Sequence, residues 1–158
     1  AERILNNYSS LYNINSNIIR LGTVYGELSR HEDVISIFSQ KICKNESISI
    51  NGDGTQTRNF IHGDDVAKAC ESIITSKIFG ETLIISGELQ ISINQIISFL
   101  KNINPSINIV HDEDSYRDDD YEGNIDEVGE TYTKLNWRPE IGIQEGIERL
   151  VKFYQDQM

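Results

Sequence analysis

The stretch Asn51–Ala69, NGDGTQTRNFIHGDDVAKA, holds most of the side chains in this sequence that could do chemistry. Arg58 stands alone between a glycine turn and an apolar run, and a paired acid, Asp64-Asp65, opens a helical pattern just beyond it. A guanidinium offers a rigid fork of donors that suits phosphate or carboxylate oxygens. Two adjacent carboxylates could serve acid–base chemistry or hold a metal. No histidine or further carboxylate stands at ligand spacing, however, so helix capping is the reading they favour. His31, His62 and His111 are scattered, and no nucleophile–histidine–acid spacing can be read from them. The GDGTQ loop would cradle a phosphate best if a helix followed it. A strand pattern follows instead, so it reads as a hairpin-type turn joining ISI to RNFIH.

A second acidic stretch, DDDYEGNIDEVGE (Asp118–Glu130), imitates a calcium loop, with Asp118, Asp120 and Glu122 at alternate positions. The bidentate glutamate of such a loop belongs at its twelfth position, which here is Gly129; Glu130 comes one residue too late. The preceding INIV reads as a strand where an entering helix is required. A solvated acidic loop is the better reading, with no metal site.

Composition narrows the class. The chain has 158 residues, the size of one domain, with 38% apolar and 25% charged residues, outside the disordered range. A net charge of −11 argues against a non-specific nucleic-acid binder but leaves room for an anionic small ligand held by one or two local arginines. Cys43 and Cys70 lie in helix-like segments without close-spaced partners, as thiols of a reducing compartment do. No apolar run reaches membrane-span length and no signal peptide is legible, so a soluble, cytoplasmic protein with no membrane partner is expected.

Periodicity supplies the elements that must position these residues. NIIRL, ESISI, RNFIH, ETLIIS and INIVH read as strands, the first ending in a turn-like GTVYG. HEDVISIFSQKICKN reads as a helix with a stripe of Val34, Ile37, Phe38 and Ile42. DDVAKACESIITSKI follows with Asp64 placed to cap it, then SINQIISFLKNI with Ser92 as cap and Pro105 beyond its end, and finally GIQEGIERLVKFYQDQ. The stretch from Asp112 to Glu130 reads mostly as loop. Strands alternating with helices mean an α/β fold with a partly parallel sheet. The opening AERILNNYSSLYN has helical spacing in Ile4, Leu5, Tyr8, Leu11 and Tyr12 but no N-cap residue, which suggests a piece of a longer chain.

RLGTVYG, a helix, SISINGDGTQTRNFIHGDDVAKA, ISGELQISINQI, YRDDD and LNWRPEIGIQEGIERLVKFY follow one another in a characteristic order and spacing. From residue 1 to residue 154 this resembles the carboxy-terminal half of the NAD-dependent sugar-nucleotide epimerase/dehydratase family, the extended short-chain dehydrogenase/reductases. The resemblance implies an α/β fold made of the last Rossmann elements plus the smaller substrate-binding domain, residues 1–158 being that fragment. It implies that the glycine-rich NAD turn and the catalytic Tyr-x-x-x-Lys lie upstream of Ala1, so the fragment itself would carry no catalytic residue, bind no NAD and lack turnover. A nucleotide-diphosphate sugar is the implied partner, with a homodimer in the parent. In the parent, a tyrosinate takes a hydroxyl proton while NAD accepts hydride, and isomerase or lyase chemistry follows.

The same resemblance assigns roles. Arg58 and Arg117 match arginines that reach the diphosphate. Ser49 and Asn51 match positions whose backbone groups meet the base. Thr23 stands where the family usually has an Asn bonded to the diphosphate, and threonine is shorter with one donor fewer. Leu21 lies on the strand that approaches the nicotinamide. Cut from its upstream strands, the piece would expose apolar faces and self-associate. The alternative is a stand-alone binding module with an acidic calcium-type loop. Calcium titration distinguishes the two: we expect no micromolar site, and micromolar affinity that vanished in Asp118→Ala would favour the module.

Overall fold

The computed structural model describes residues 1–29, 32–112 and 128–158. The chain runs through α1 (Glu2–Tyr12), β1 (Ile18–Leu21), β2 (Thr23–Tyr25), α2 (Val34–Cys43), β3 (Ile48–Asn51), β4 (Thr57–His62) and α3 (Gly63–Ser76). It continues through β5 (Thr82–Ile85), β6 (Gln90–Ser92), α4 (Ile93–Ile103), β7 (Ile109–Asp112), α5 (Val128–Leu135) and α6 (Ile143–Gln155).

Among the described residues the strands form three small sheets. β1 lies parallel to β5, with Ile18 opposite Thr82 and Leu21 opposite Ile85. β4 is the middle strand of the second sheet, parallel to β2 and antiparallel to β6. β3 pairs in parallel with β7. Two apolar cores result. Tyr25, Ile35, Phe38, Ile50, Phe60, Leu100 and Leu150 belong to one, under α2, α4 and α6. Ile61, Ala69, Leu83, Ile85, Tyr132 and Trp137 belong to the other, between α3, α5 and β5. Because side chains alternate along a strand, β4 feeds Phe60 to the first core and Ile61 to the second.

Several elements stand where periodicity and capping place them. Ser92 caps α4 in a reciprocal capping box with Gln95, and α1 opens without a side-chain cap. Others depart. The stripe of α2 is Ile35, Phe38 and Ile42, while Ile37 is 37% exposed. Ser36 can enter the core because its hydroxyl donates to the cap residue Asp33 (2.6 Å), which rotates the buried face toward Ile35. The cap of α3 is His62, whose Nδ1 accepts from the Asp64 N–H, and not Asp64. Asp65 caps nothing either. It is fully buried and its two carboxylate oxygens accept from the N–H groups of Glu140 (3.1 Å) and Ile141 (2.9 Å), which ties the segment before α6 to α3. GDGTQ is not a hairpin turn, since β3 and β4 belong to different sheets. It docks on the start of α4: Asn94 N–H donates to Gly54 C=O and Ile93 N–H to Gln56 C=O. Gly54, at φ +76°, also sits where a Cβ would lie 2.4 Å from the Asn94 amide oxygen.

Periodicity missed β2 and β6, which are three residues each, and α5. α5 occupies part of what reads as acidic loop, with Gly129 and Glu130 inside it. Its Thr131 hydroxyl accepts from the Ile84 N–H (3.0 Å) and its Tyr132 hydroxyl donates to Ser86 C=O (2.6 Å), so tertiary hydrogen bonds along β5 hold it in place.

Gly146 in α6 faces Tyr25, and a Cβ there would lie 2.1 Å from Oη and 2.7 Å from two ring carbons. Gly→Ala in a helix ordinarily adds about 1 kcal/mol of stability. Here Gly146→Ala is expected to destabilise by about 1–3 kcal/mol through overpacking. Tyr25→Phe alone is expected to be close to neutral, because the buried Oη has no hydrogen-bond partner among the described residues. Urea unfolding of both variants checks this, and a stabilised Gly146→Ala would contradict it.

Candidate functional site

The ends of β2, β3 and β4 and the first turns of α2 and α4 surround an open cavity of about 410 Å3. Val34, Ile37, Phe38, Ile50, Phe60 and Ile93 make its apolar wall; Thr23, Glu32, Ser49, Asn51, Gln56 and Arg58 make its polar rim. Four residues singled out from sequence therefore meet in one place: Thr23, Ser49, Asn51 and Arg58. Leu21, at the end of β1 and 51% exposed, is not among the cavity residues. Arg117, His31 and the acidic stretch as far as Glu127 fall outside the described residues.

Strand periodicity explains the placement. Arg58, Phe60 and His62 share one face of β4, so the packing that buries Phe60 also commits Arg58 to the cavity side. Its Nη1 donates to Thr57 C=O (2.8 Å), which fixes the direction of the guanidinium. Among the described lining residues it is the only lysine or arginine. Thr23 is brought in by the register of β2, opposite Phe60.

On β3, Ile48 and Ile50 are buried while Ser49 and Asn51 are exposed. The ladder gives the backbone directions. Ile48 N–H donates to Asn108 C=O and Gly52 N–H to Asp112 C=O, so the even residues bond toward β7. The N–H and C=O groups of Ser49 and Asn51 consequently point to the opposite edge, where the cavity lies. Ser49 C=O and Asn51 N–H are an adjoining acceptor and donor, the pattern a planar lactam or imide edge would match. Glu32, Gln56 and the apolar wall were not found from sequence. Their helix, turn and strand meet only in the tertiary fold, although Gln56, between Asn51 and Arg58, is within reach of a spacing argument.

A second polar cluster lies at the carboxyl end of β4. His62 is 1% exposed, with the ring edge-on to Tyr25. Its Nε2 sits 3.1 Å from a Glu27 carboxylate oxygen, at an angle that makes no aligned hydrogen bond. Arg149 of α6 bridges Glu27 (3.1 Å) and Asp64 (2.6 Å). The cluster is bonded to itself and ties the chain after β2 to α3 and α6. Among the described residues no group of three or more His, Cys, Asp or Glu could hold a metal ion, and no helix is long and apolar enough to cross a membrane.

Parallel strand pairs with helical crossovers, and a cavity between the carboxyl end of β3 and the starts of β2 and β4, belong to a Rossmann-type α/β protein of the extended short-chain dehydrogenase/reductase class. A profile of the NAD dependent epimerase/dehydratase family matches residues 1–85. A UDP-glucuronate 4-epimerase of Thermodesulfobacterium geofontis is 32% identical over 99% of this chain and 48% of its own length. A dTDP-D-glucose 4,6-dehydratase of Bos taurus is 28% identical over 99% of this chain and 45% of its own. The crystal structure of a UDP-glucuronic acid 4-epimerase from Bacillus cereus, in complex with UDP-glucuronic acid and NAD, superposes with a TM-score of 0.88 at 26% identity, over 99% of this chain and 50% of that one. This chain belongs to the NAD dependent epimerase/dehydratase family, and it spans about half the length of these relatives.

The cluster at the carboxyl end of β4 gives a pH test. The hydrogen bond from Arg149 holds the Asp64 carboxyl below its ordinary value of 3.8. A lowered folded-state pKa means that the native state binds fewer protons, so this contribution is present above that value and is lost as pH falls through the folded pKa. Asp64→Asn should flatten the acid limb of the stability profile below about pH 4, with a loss at neutral pH of no more than about 1 kcal/mol for so exposed a pair. Urea midpoints from pH 2 to 7 measure this, and an unchanged acid limb would count against it.

Proposed function

We propose that this chain is the nucleotide-sugar-binding portion of an NAD-dependent sugar-nucleotide epimerase or dehydratase, residues 1–158 comprising the last Rossmann elements and the substrate-binding domain. The observation that carries the reading is the meeting of Arg58 with the free edge of β3 across one cavity. Arg58 supplies a charge-assisted fork for a diphosphate, Ser49 C=O and Asn51 N–H supply an edge for the base, and Thr23 adds a short hydroxyl on the diphosphate side. Relatives named as epimerase and dehydratase, and a neighbour solved with a UDP-sugar and NAD, support the substrate class.

NAD fits this chain only in part. Leu21 offers an exposed apolar contact at the carboxyl end of β1, where the nicotinamide would approach. The sequence contains neither a glycine-rich dinucleotide turn nor a Tyr-x-x-x-Lys. The hydride chemistry is therefore assigned to the longer polypeptide, and no redox step is derived from residues of this chain. Pairing of two subunits through α1, whose Ile4, Tyr8 and Leu11 are exposed, belongs to the same reading. So does a cytoplasmic location, which the free thiols of Cys43 and Cys70 suit.

In the full-length polypeptide, Arg58→Ala should weaken UDP- or dTDP-sugar binding by about 2–4 kcal/mol, the range for losing a charge-assisted bidentate contact and leaving phosphate unpaired. Calorimetry decides the matter, and an unchanged dissociation constant would refute the assignment.

A further inference from the structure

Gln56 touches both sides of the cavity's polar rim. Its backbone C=O accepts from Ile93 N–H (3.3 Å), which pins the residue to the start of α4. Its side-chain Nε2 donates to the C=O of Asn51 (3.1 Å), and both residues line the cavity. The acceptor is a carbonyl, so the amide nitrogen and not the amide oxygen must face it.

In an extended residue the N–H and C=O point to the same side of the strand. Asn51 C=O therefore lies on the cavity edge beside Asn51 N–H, the donor that the proposed function assigns to the base. Left bare, that carbonyl would repel any keto oxygen approaching the adjacent N–H. Gln56 covers it with one amide hydrogen, and a primary amide carries a second. The cavity edge thus presents two neighbouring donors, the Asn51 N–H and the second Gln56 N–H, in a place that would otherwise mix donor and acceptor.

We propose that Gln56 is a specificity-determining residue for the base: paired with Asn51, it selects a ring bearing a keto group at that edge over one bearing an amino group. A keto oxygen accepts from both donors, whereas an exocyclic amine meets them donor to donor. A site built for one pattern leaves its polar groups unpaired with the other. The inference rests on the proposed function, and deepens it from nucleotide-sugar to the keto-bearing base class.

The test uses UDP, CDP and inorganic pyrophosphate as probes, titrated by calorimetry into the full-length polypeptide. Wild type should prefer UDP to CDP. Gln56→Met, which keeps the bulk and removes the donors, should reduce that preference about tenfold, the scale of one lost hydrogen-bond discrimination. Pyrophosphate affinity should not change, because the diphosphate seat at Arg58 is untouched. Gln56→Glu, with acceptors in place of donors, should reduce the preference further. An unchanged UDP-to-CDP ratio in Gln56→Met overturns the inference. Equal losses for all three probes, with a lowered melting temperature, overturn it too, by showing a purely structural residue. Wild-type protein that binds pyrophosphate but not UDP overturns the base reading itself, and this inference with it.

Discussion

The cavity depends on the two-sided burial of β4. Its six residues separate two cores, with Phe60 packed under α2 and α4 and Ile61 packed against α3 and β5. Neither side chain could face water without losing a large buried apolar area, so the strand cannot slip by one residue. That fixed phase sends Arg58 to the same side as Phe60 and keeps Asn59 on the other, where its amide donates to Gly87 C=O (3.0 Å). Register with β2 then sets Thr23 opposite Phe60. The arginine is thus aimed by the packing of its neighbours.

The turn from Gly52 to Gln56 converts that direction into a concave site. Three consecutive N–H groups at the start of α4 are occupied, by Gln56 C=O, Gly54 C=O and the Ser92 hydroxyl. The helix end therefore contributes fixed geometry and not an anion hole of its own. Among the described lining residues the positive charge is that of Arg58, in a chain whose net charge is −11. A cation acts on an anionic group at short range, while distant carboxylates are screened by solvent and salt.

Asp65 shows how a functional-looking motif becomes a structural one. Its carboxylate is buried and receives two backbone N–H groups from Glu140 and Ile141. Those bonds bring the Trp137–Ile141 segment against α3 and set the start of α6. From there Gly146 makes room for Tyr25, and Arg149 reaches Glu27 and Asp64. The acidic pair thus divides its work, one member anchoring a loop inside the protein and the other pairing at its surface.

The sequence by itself determined the α/β class, most helices and strands, the capping of α4 by Ser92 and the membership of Arg58, Ser49, Asn51 and Thr23 in one group. The first three follow from local chemistry, in periodicity, turn residues and caps; the grouping is what the resemblance to a known family implies. What it could not determine were contacts whose energy comes from distant partners. β2 and β6 are too short to show a period, and exist because β4 pairs with both. α5 carries an acidic, loop-like sequence, and is held by hydrogen bonds to β5 and by Tyr132 packing on Trp137. The phase of α2 turned on whether Ser36 could be satisfied inside, which Asp33 and Ser29 decide. Gln56 and Glu32 joined the cavity only because tertiary packing folded a turn and a helix start around the end of β3. The choice between a hairpin and a docked loop at GDGTQ likewise lay with β7, which pairs with β3 from 61 residues further along the chain and leaves β4 to other strands.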